Sequence, residues 1–403
     1  MLDLFRRRRM WRPAGELKGS YDVVIVGGGS HGLAAAHYLA EQGITDVCVL
    51  EKGYIGSGAA GRNTTILRSN YKTPEGAAFY DASVKLYERL GAQLGFNLLF
   101  SQCGHLTLAH SDRAMFVMAN RAEVNRLQGI DSQLIGPDRV AELAPSMYVG
   151  PDTTYPIMGA LYHPPGGIIR HDAVVWAFAR SADRAGVEIH PNTEVTGMRR
   201  AGDRITAVET DRGTIEAGTV LNCTAGWSTL ISDMAGVQLP ITTHILQACV
   251  TEPVKPFLDV VVVSSQMHIY LSQSDRGELV MGSEIEPWTT YRMQGTLNFL
   301  QELSRHTLEL FPQLEQARLL RAWAGLCDLS PDYSPILGET EVENFHVSAG
   351  WGTYGFKAAP IVGKTLAELV ATGRTPDLIA PFALERFYED RLVSELAAAA
   401  VSH

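Results

Sequence analysis

Gly27, Gly29 and Gly32 stand at G-x-G-x-x-G spacing directly after the apolar run 23–26, and Glu51 closes a second apolar run, 47–50. That arrangement suits phosphate and ribose recognition. The first glycine permits a tight turn, the second lets the backbone approach a pyrophosphate, and the third lets a helix lie close on its strand. Ser30 and His31 lie inside the turn before that helix, whose unpaired amides face phosphates. An acid about 20 residues downstream accepts hydrogen bonds from a ribose hydroxyl. An adenine dinucleotide is therefore expected; Glu51 would repel a 2′-phosphate, which disfavours NADP and leaves FAD or NAD. In His31 the backbone is expected to matter more than the ring.

Residues 350–357, Gly-Trp-Gly-Thr-Tyr-Gly-Phe-Lys, form a second glycine turn far along the chain. Two such turns bracket one cofactor if Gly352 and Gly355 bring backbone amides to its far end, where charge develops on reduction. Lys357 then supplies a cation at the reacting ring; a surface lysine is the competing reading. A third donor-rich segment runs from Arg62 through Asn63, Thr64 and Thr65 to Leu67, Arg68 and Tyr71, approached through small residues that include Gly61. Arg62 or Arg68 can pair with a carboxylate or phosphate, unless the segment is only a capped surface loop. Lys52, Gly61, Leu67 and Val195 complete the candidate cofactor-binding set, to which Thr65 and Lys357 also belong, and Lys357, Arg68 and Thr65 are the catalytic candidates. No histidine, cysteine or carboxylate cluster has metal-ligand spacing, so no metal site is expected.

The elements that must hold these residues follow from pattern. Strands at 22–26 and 47–51 flank a helix at 33–42; a long helix covers 74–94, a short one 138–143, and another 169–185 behind the Pro164–Gly167 turn. Strands are expected at 187–190, 195–199, 205–210, 214–216 and 220–222, then an antiparallel sheet across 244–284 and a helix at 296–310. The second glycine turn follows a strand at 345–349 and precedes a helix at 360–371. The fold class expected is α/β: a Rossmann-like nucleotide-binding domain of segments 20–100, 165–240 and 335–390, interleaved with an antiparallel-sheet substrate domain of 101–164 and 241–334, after a tail at 1–19.

The chain has 403 residues, 46% of them apolar, enough for two intermixed domains, and a net charge of −10 that argues against general nucleic-acid binding. Arg6–Arg9 is read as a solvated tail or a strap on a partner rather than a nucleic-acid arm. Five scattered cysteines without C-x-x-C spacing point to reduced thiols and a cytoplasmic setting. No window approaches the ~20 apolar residues of a spanning helix, so no membrane role is expected.

The units at 21–51, 56–71, 323–338 (with Asp332 and Pro335) and 350–360 together resemble the glycine and D-amino-acid oxidase superfamily. Within it, Arg62-Asn63-Thr64-Thr65 running to Arg68-Ser69-Asn70-Tyr71, with Gly167-Ile168-Ile169-Arg170-His171-Asp172, resembles the beta subunits of heterotetrameric sarcosine oxidases over almost the whole chain. The resemblance implies noncovalent FAD and a second flavin, FMN, linked covalently through His171. By its own position His171 reads more simply as a helix-start packing residue. The resemblance also implies oxidation of sarcosine to glycine, with formaldehyde or methylenetetrahydrofolate and hydrogen peroxide, electrons passing from FAD to FMN to oxygen. Alpha, gamma and delta partners are implied with it. Cys327, near a position where single-subunit relatives attach FAD, is read as a small buried residue, and His244 and His268 as structural. The alternatives are an FAD-dependent D-proline, hydroxyproline or other D-amino-acid dehydrogenase subunit, and a flavin-holding scaffold.

Overall fold

The computed structural model describes residues 10–150 and 152–395. The basic run Arg6–Arg9 lies outside the described residues. The chain opens with β1 (Ser20–Val26), α1 (Ser30–Glu41) and β2 (Val47–Glu51), then β3 (Ile66–Leu67) and α2 (Pro74–Leu94). Next come β4 (His105–Ala109), α3 (Asp112–Leu127), β5 (Gln133–Ile135), α4 (Pro137–Leu143) and β6 (Gly159–His163). After β7 (Gly167–Ile168) and α5 (His171–Arg184) follow β8 (Glu188–Pro191), β9 (Val195–Ala201), β10 (Arg204–Thr210), β11 (Gly213–Asn222) and α6 (Ser228–Ala235). The last part holds β12 (Thr242–Thr251), β13 (Val261–Ser264), β14 (Ile269–Gln273), β15 (Leu279–Ile285), α7 (Leu297–Leu310) and β16 (Leu319–Leu329). It ends with β17 (Ile336–Gly338), β18 (Phe345–Ala349) and α8 (Gly355–Thr372).

Two sheets of eight strands organise these elements. The first runs β17-β18-β11-β1-β2-β8, with β10 and β9 attached beside β11; β1 is parallel to both β11 and β2. Its central strands read as unbroken apolar runs because both faces are covered, one by α1, α5 and α8 and the other by β9, β10 and α6. Val24, Ile25, Cys48 and Val49 are fully buried. The second sheet runs β16-β12-β15-β14-β13-β4-β6-β5 and is antiparallel except where β13 meets β4. This is the Rossmann-like and antiparallel α/β architecture expected from the sequence.

Two local expectations change, and one alternative falls away. The runs 214–216 and 220–222 are one strand, β11, because Gly218 lets it pass Asp22: a Cβ there would stand 2.5 Å from the Asp22 carbonyl oxygen. The last helix starts at Gly355, not at Pro360, and the proline sits inside it. Proline removes the amide that would bond Phe356 O. The Tyr87 hydroxyl donates to that oxygen instead, at 2.8 Å. Finally, residues 67–71 are no surface loop: Leu67, Ser69, Asn70 and Tyr71 are fully buried between α2 and the second sheet. Two helices escape the sequence reading: α3 has no apolar stripe, and α6 is only eight residues long.

Candidate active site

A cavity of about 1030 Å³ runs from the carboxyl ends of β1 and β2 to the second sheet. Gly27, Gly29, Ser30, His31, Glu51, Lys52, Asn63, Thr64, Thr65, Arg68, Val195, Gly352, Gly355 and Lys357 all line it. Gly32, Gly61 and Leu67 stand behind its wall, where they shape it without facing it. A Cβ on Gly32 would lie 2.0 Å from Gly27 O, and one on Gly61 2.4 Å from Gly56 O. His171 does not face this cavity.

At the nucleotide end the geometry is fixed by hydrogen bonds. Gly27 has φ of +107°, outside the range ordinary side chains adopt. Glu51 accepts from Gly28 N at 2.9 Å, Gly53 N at 2.8 Å and Ser57 Oγ at 3.3 Å, so its carboxylate is oriented before any ribose arrives. A Cβ on Gly29 would meet nothing nearer than 3.9 Å, which leaves the backbone open to a pyrophosphate. These features fit FAD.

The His31 ring has a part of its own beside its backbone. Nε2 lies 2.6 Å from Gly355 O and Nδ1 3.0 Å from Ser348 Oγ, and the ring meets Trp351 edge-on. Burial pushes the imidazole down to about 4, so it is neutral, donating to Gly355 from Nε2 and accepting from Ser348 at Nδ1. It clips the first glycine turn to the second. Asp328, which the sequence reading passed over in favour of its neighbour Cys327, holds the second turn from the other side. Its carboxylate accepts from Gly350 N at 2.7 Å and its carbonyl from Gly352 N at 2.8 Å. Burial pushes its carboxyl up to about 7.

The far end is cationic. Lys357 is buried on the first turn of α8, its Nζ 3.4 Å from Thr353 O, and burial followed by the Arg68 charge push its ammonium well below the usual range. Arg68 stacks on Tyr71 and donates to Asn70. Thr65 has φ of +65°, a strained conformation for a β-branched residue, held because Asn63 Oδ1 accepts from its N at 2.7 Å and its O accepts from Ile169 N at 3.1 Å. Sequence reasoning missed Arg121 on α3 and His105 and Thr107 on β4, which also line this end. Only the fold brings them to the cavity. Arg62 lines it too, its side chain donating to Gly58 O.

The FAD dependent oxidoreductase family matches residues 22–369. The sarcosine oxidase beta subunit of Arthrobacter sp is 46% identical over 96% of each chain, and that of Rhizobium meliloti 44% over 98% of this chain and 96% of that one. The chain belongs to the FAD-dependent oxidoreductase family, among the sarcosine oxidase beta subunits. It is a flavin-dependent oxidoreductase. Among solved structures, L-proline dehydrogenase from P. horikoshii has a TM-score of 0.88 at 31% identity, covering 94% of this chain and 100% of that one. Glycine oxidase from Geobacillus kaustophilus, at 24% identity, has a TM-score of 0.83 over 92% of this chain and 99% of that one, which speaks for the shared fold.

His171 opens α5, half-buried. Among the described residues its ring makes no hydrogen bond to protein. Burial pushes its imidazole down, with Asp172 opposing and Arg170 adding to the shift. Behind it, β7 pairs with β3 through Ile66 with Ile168 and Leu67 with Gly167. The segment before His171 therefore backs onto the wall formed by Thr64, Thr65 and Ile66. His244, bonded to Glu286 O and Thr242 Oγ1, and His268 do not line the cavity. Cys327 does, with its thiol pushed up by burial. Among the described residues no metal-ligand cluster occurs, and no helix is long and apolar enough to cross a membrane.

Proposed function

We propose that this chain oxidises sarcosine to glycine as the beta subunit of a heterotetramer, with formaldehyde or methylenetetrahydrofolate and hydrogen peroxide as the other products. The observation that carries this reading is the meeting of Lys357 and Arg68 with both glycine turns on one cavity. FAD, held noncovalently, and FMN, linked through His171, supply the electron-accepting chemistry, toward oxygen as final acceptor. The pyrophosphate is assigned to Gly27, Gly29 and Ser30, the ribose to Glu51 and Lys52, and the remaining dinucleotide to Val195, Asn63, Thr64, Thr65, Gly352 and Gly355. Gly32, Gly61 and Leu67 shape that site from behind. Segments 20–100, 165–240 and 335–390 form the proposed cofactor domain, and 101–164 with 241–334 the substrate domain.

Lys357 and Arg68 bind the substrate carboxylate, and an arriving anion offsets the cost of their burial. The same cations disfavour a protonated amine nearby, so the reactive free base is held without a strong general base. Thr65 fixes the wall the substrate rests against. His171, neutral and free of hydrogen bonds among the described residues, is a competent nucleophile toward an activated methyl carbon. The protonated Cys327 thiol is no such nucleophile. Alpha, gamma and delta subunits complete the complex, in the cytoplasm.

The likeness to an L-proline dehydrogenase favours dehydrogenase chemistry as the second reading, which on the sequence is an FAD-dependent D-proline, hydroxyproline or other D-amino-acid dehydrogenase subunit. One experiment separates the two: co-expression with the neighbouring subunits, anaerobic addition of sarcosine or proline, and mass analysis of the His171 peptide. Bleaching by sarcosine with release of formaldehyde, hydrogen peroxide on readmission of oxygen and an FMN adduct on His171 support the oxidase. Bleaching by proline alone, with an unmodified peptide, supports the dehydrogenase.

A further inference from the structure

Arg121 projects from the middle of α3, is 8% exposed, and lines the cationic end of the cavity. Among the described residues no carboxylate lies within ion-pair distance of it. Its Nε donates to Asn70 O at 2.5 Å and its Nη2 to Asn70 Oδ1 at 3.1 Å, while Nη1 makes no hydrogen bond to protein. The same Asn70 Oδ1 accepts from Arg68 Nη1 at 3.1 Å, so one amide oxygen sits between two guanidinium groups. The carboxylate whose charge acts on Arg121 is Glu395, and it is already engaged by Lys72 N, Thr73 N and Thr73 Oγ1. Burial, then the charge of Arg68, push the Arg121 guanidinium down to about 9. The surroundings are equally unsatisfied: Asn70 Nδ2, Asn125 Oδ1 and His105 Nδ1 are buried without a partner.

A buried cation without a counter-ion is costly, and natural proteins keep one where a ligand supplies the missing charge. Two guanidinium groups held side by side repel each other, with the Asn70 amide oxygen between them. An anion entering from the cavity relieves both. We propose that Arg121 is a contact residue for the substrate carboxylate, its Nη1 taking one carboxylate oxygen while Arg68 and Lys357 take the rest. This assignment rests on the amine-oxidising reading above. It also makes α3, a helix without an apolar face, a part of the substrate site.

The test uses the full-length holoenzyme and two unoxidisable probes of sarcosine shape, methoxyacetate and its neutral carboxamide, followed through perturbation of the flavin absorbance. Arg121→Gln is expected to weaken methoxyacetate binding about 10- to 100-fold, the loss of one charged hydrogen bond, and to leave carboxamide binding unchanged. Arg121→Lys, which returns the charge without the planar fork, recovers part of that loss. With sarcosine the loss falls on KM more than on kcat. Equal binding of methoxyacetate by Arg121→Gln and wild type overturns the assignment, as does equal weakening of both probes, which would mark a merely structural arginine. Should the glutamine variant fail to hold FAD, a crystal structure of the wild-type methoxyacetate complex decides: Arg121 Nη1 within about 3.2 Å of a carboxylate oxygen supports the contact, and a longer separation removes it. Wild-type enzyme that neither binds methoxyacetate nor is bleached by sarcosine overturns the sarcosine reading itself. Methoxyacetate bound with Arg121 uninvolved overturns only the arginine assignment.

Discussion

The two ends of the cavity are built on opposite plans. At the nucleotide end polar groups meet protein partners: Glu51 accepts from Gly28, Gly53 and Ser57, and His31 bridges Ser348 and Gly355. At the carboxylate end Lys357, Arg68 and Arg121 are buried together, and His105 and Asn70 keep atoms without partners. The first end is finished by the chain and receives a cofactor. The second, on the function proposed above, is finished by its ligand. A substitution at the first should therefore cost cofactor affinity and stability, and one at the second should cost turnover with cofactor retained.

The largest effect is expected at the unfinished end. Lys357→Met removes a cation from a water-poor site, and kcat/KM for sarcosine should fall by about 10²–10³ with FAD content unchanged. Steady-state kinetics beside flavin quantitation checks this; FAD lost in proportion to activity would erase the distinction between the ends. At the finished end, Gly32→Ala places a methyl 2.0 Å from Gly27 O and 3.1 Å from Ile25 Cγ2. Backbone cannot yield there cheaply, so a loss of about 3 kcal/mol in denaturant unfolding and failure to retain FAD are expected. Retention of FAD at wild-type stability would mean the turn is far softer than its geometry.

Acid should act on the finished end through His31. The unfolded chain takes up a proton near 6.5, whereas the folded ring resists until about 4. Between those values the unfolded state binds more protons, so stability is kept above about 6.5 and drains as pH falls, by about 3 kcal/mol in all. His163, also pushed down to about 4, and His105, pushed by burial well below the usual imidazole range, add to the slope. Thermal melts from pH 7 to 4 should show it, and His31→Gln should flatten part of it while loosening FAD. An unchanged slope in His31→Gln would assign the acid sensitivity to the carboxylate end.

The same division governs how much could be read from sequence. The nucleotide end is local: a strand, a turn of glycines and an acid follow one another within 20–51, and the backbone geometry they dictate needs no tertiary information. Even there the His31 ring escaped, because its partners Ser348 and Gly355 lie more than three hundred residues away in sequence. The carboxylate end is assembled from β3, β4, α3 and α8, with no motif joining them. Arg68 and Lys357 were found because each sits in a glycine-rich or donor-rich run. Arg121 was not, since α3 has no apolar stripe to mark which face is buried, and a lone arginine on such a helix reads as solvated. Pro360 misplaced the start of α8 for a related reason: its missing amide is compensated by Tyr87, a partner that only the fold supplies.

The smallest effect is the sharpest test of whether the ends are separable. Glu51→Gln keeps size and one acceptor oxygen but turns the other into a donor. In the wild type both oxygens already accept from backbone amides, Oε2 from Gly28 and Oε1 from Gly53. The amide must therefore set its NH₂ group against one of those N–H groups or give up a position the ribose needs. Losing one charge-assisted bond of this kind should weaken FAD about tenfold, read by fluorescence titration of the apoprotein. At saturating FAD, turnover should equal that of wild type, because nothing at the carboxylate end has changed. If turnover of the saturated variant falls as well, the His31 and Asp328 clips between the two glycine turns transmit the disturbance, and the cavity is one mechanical unit rather than two.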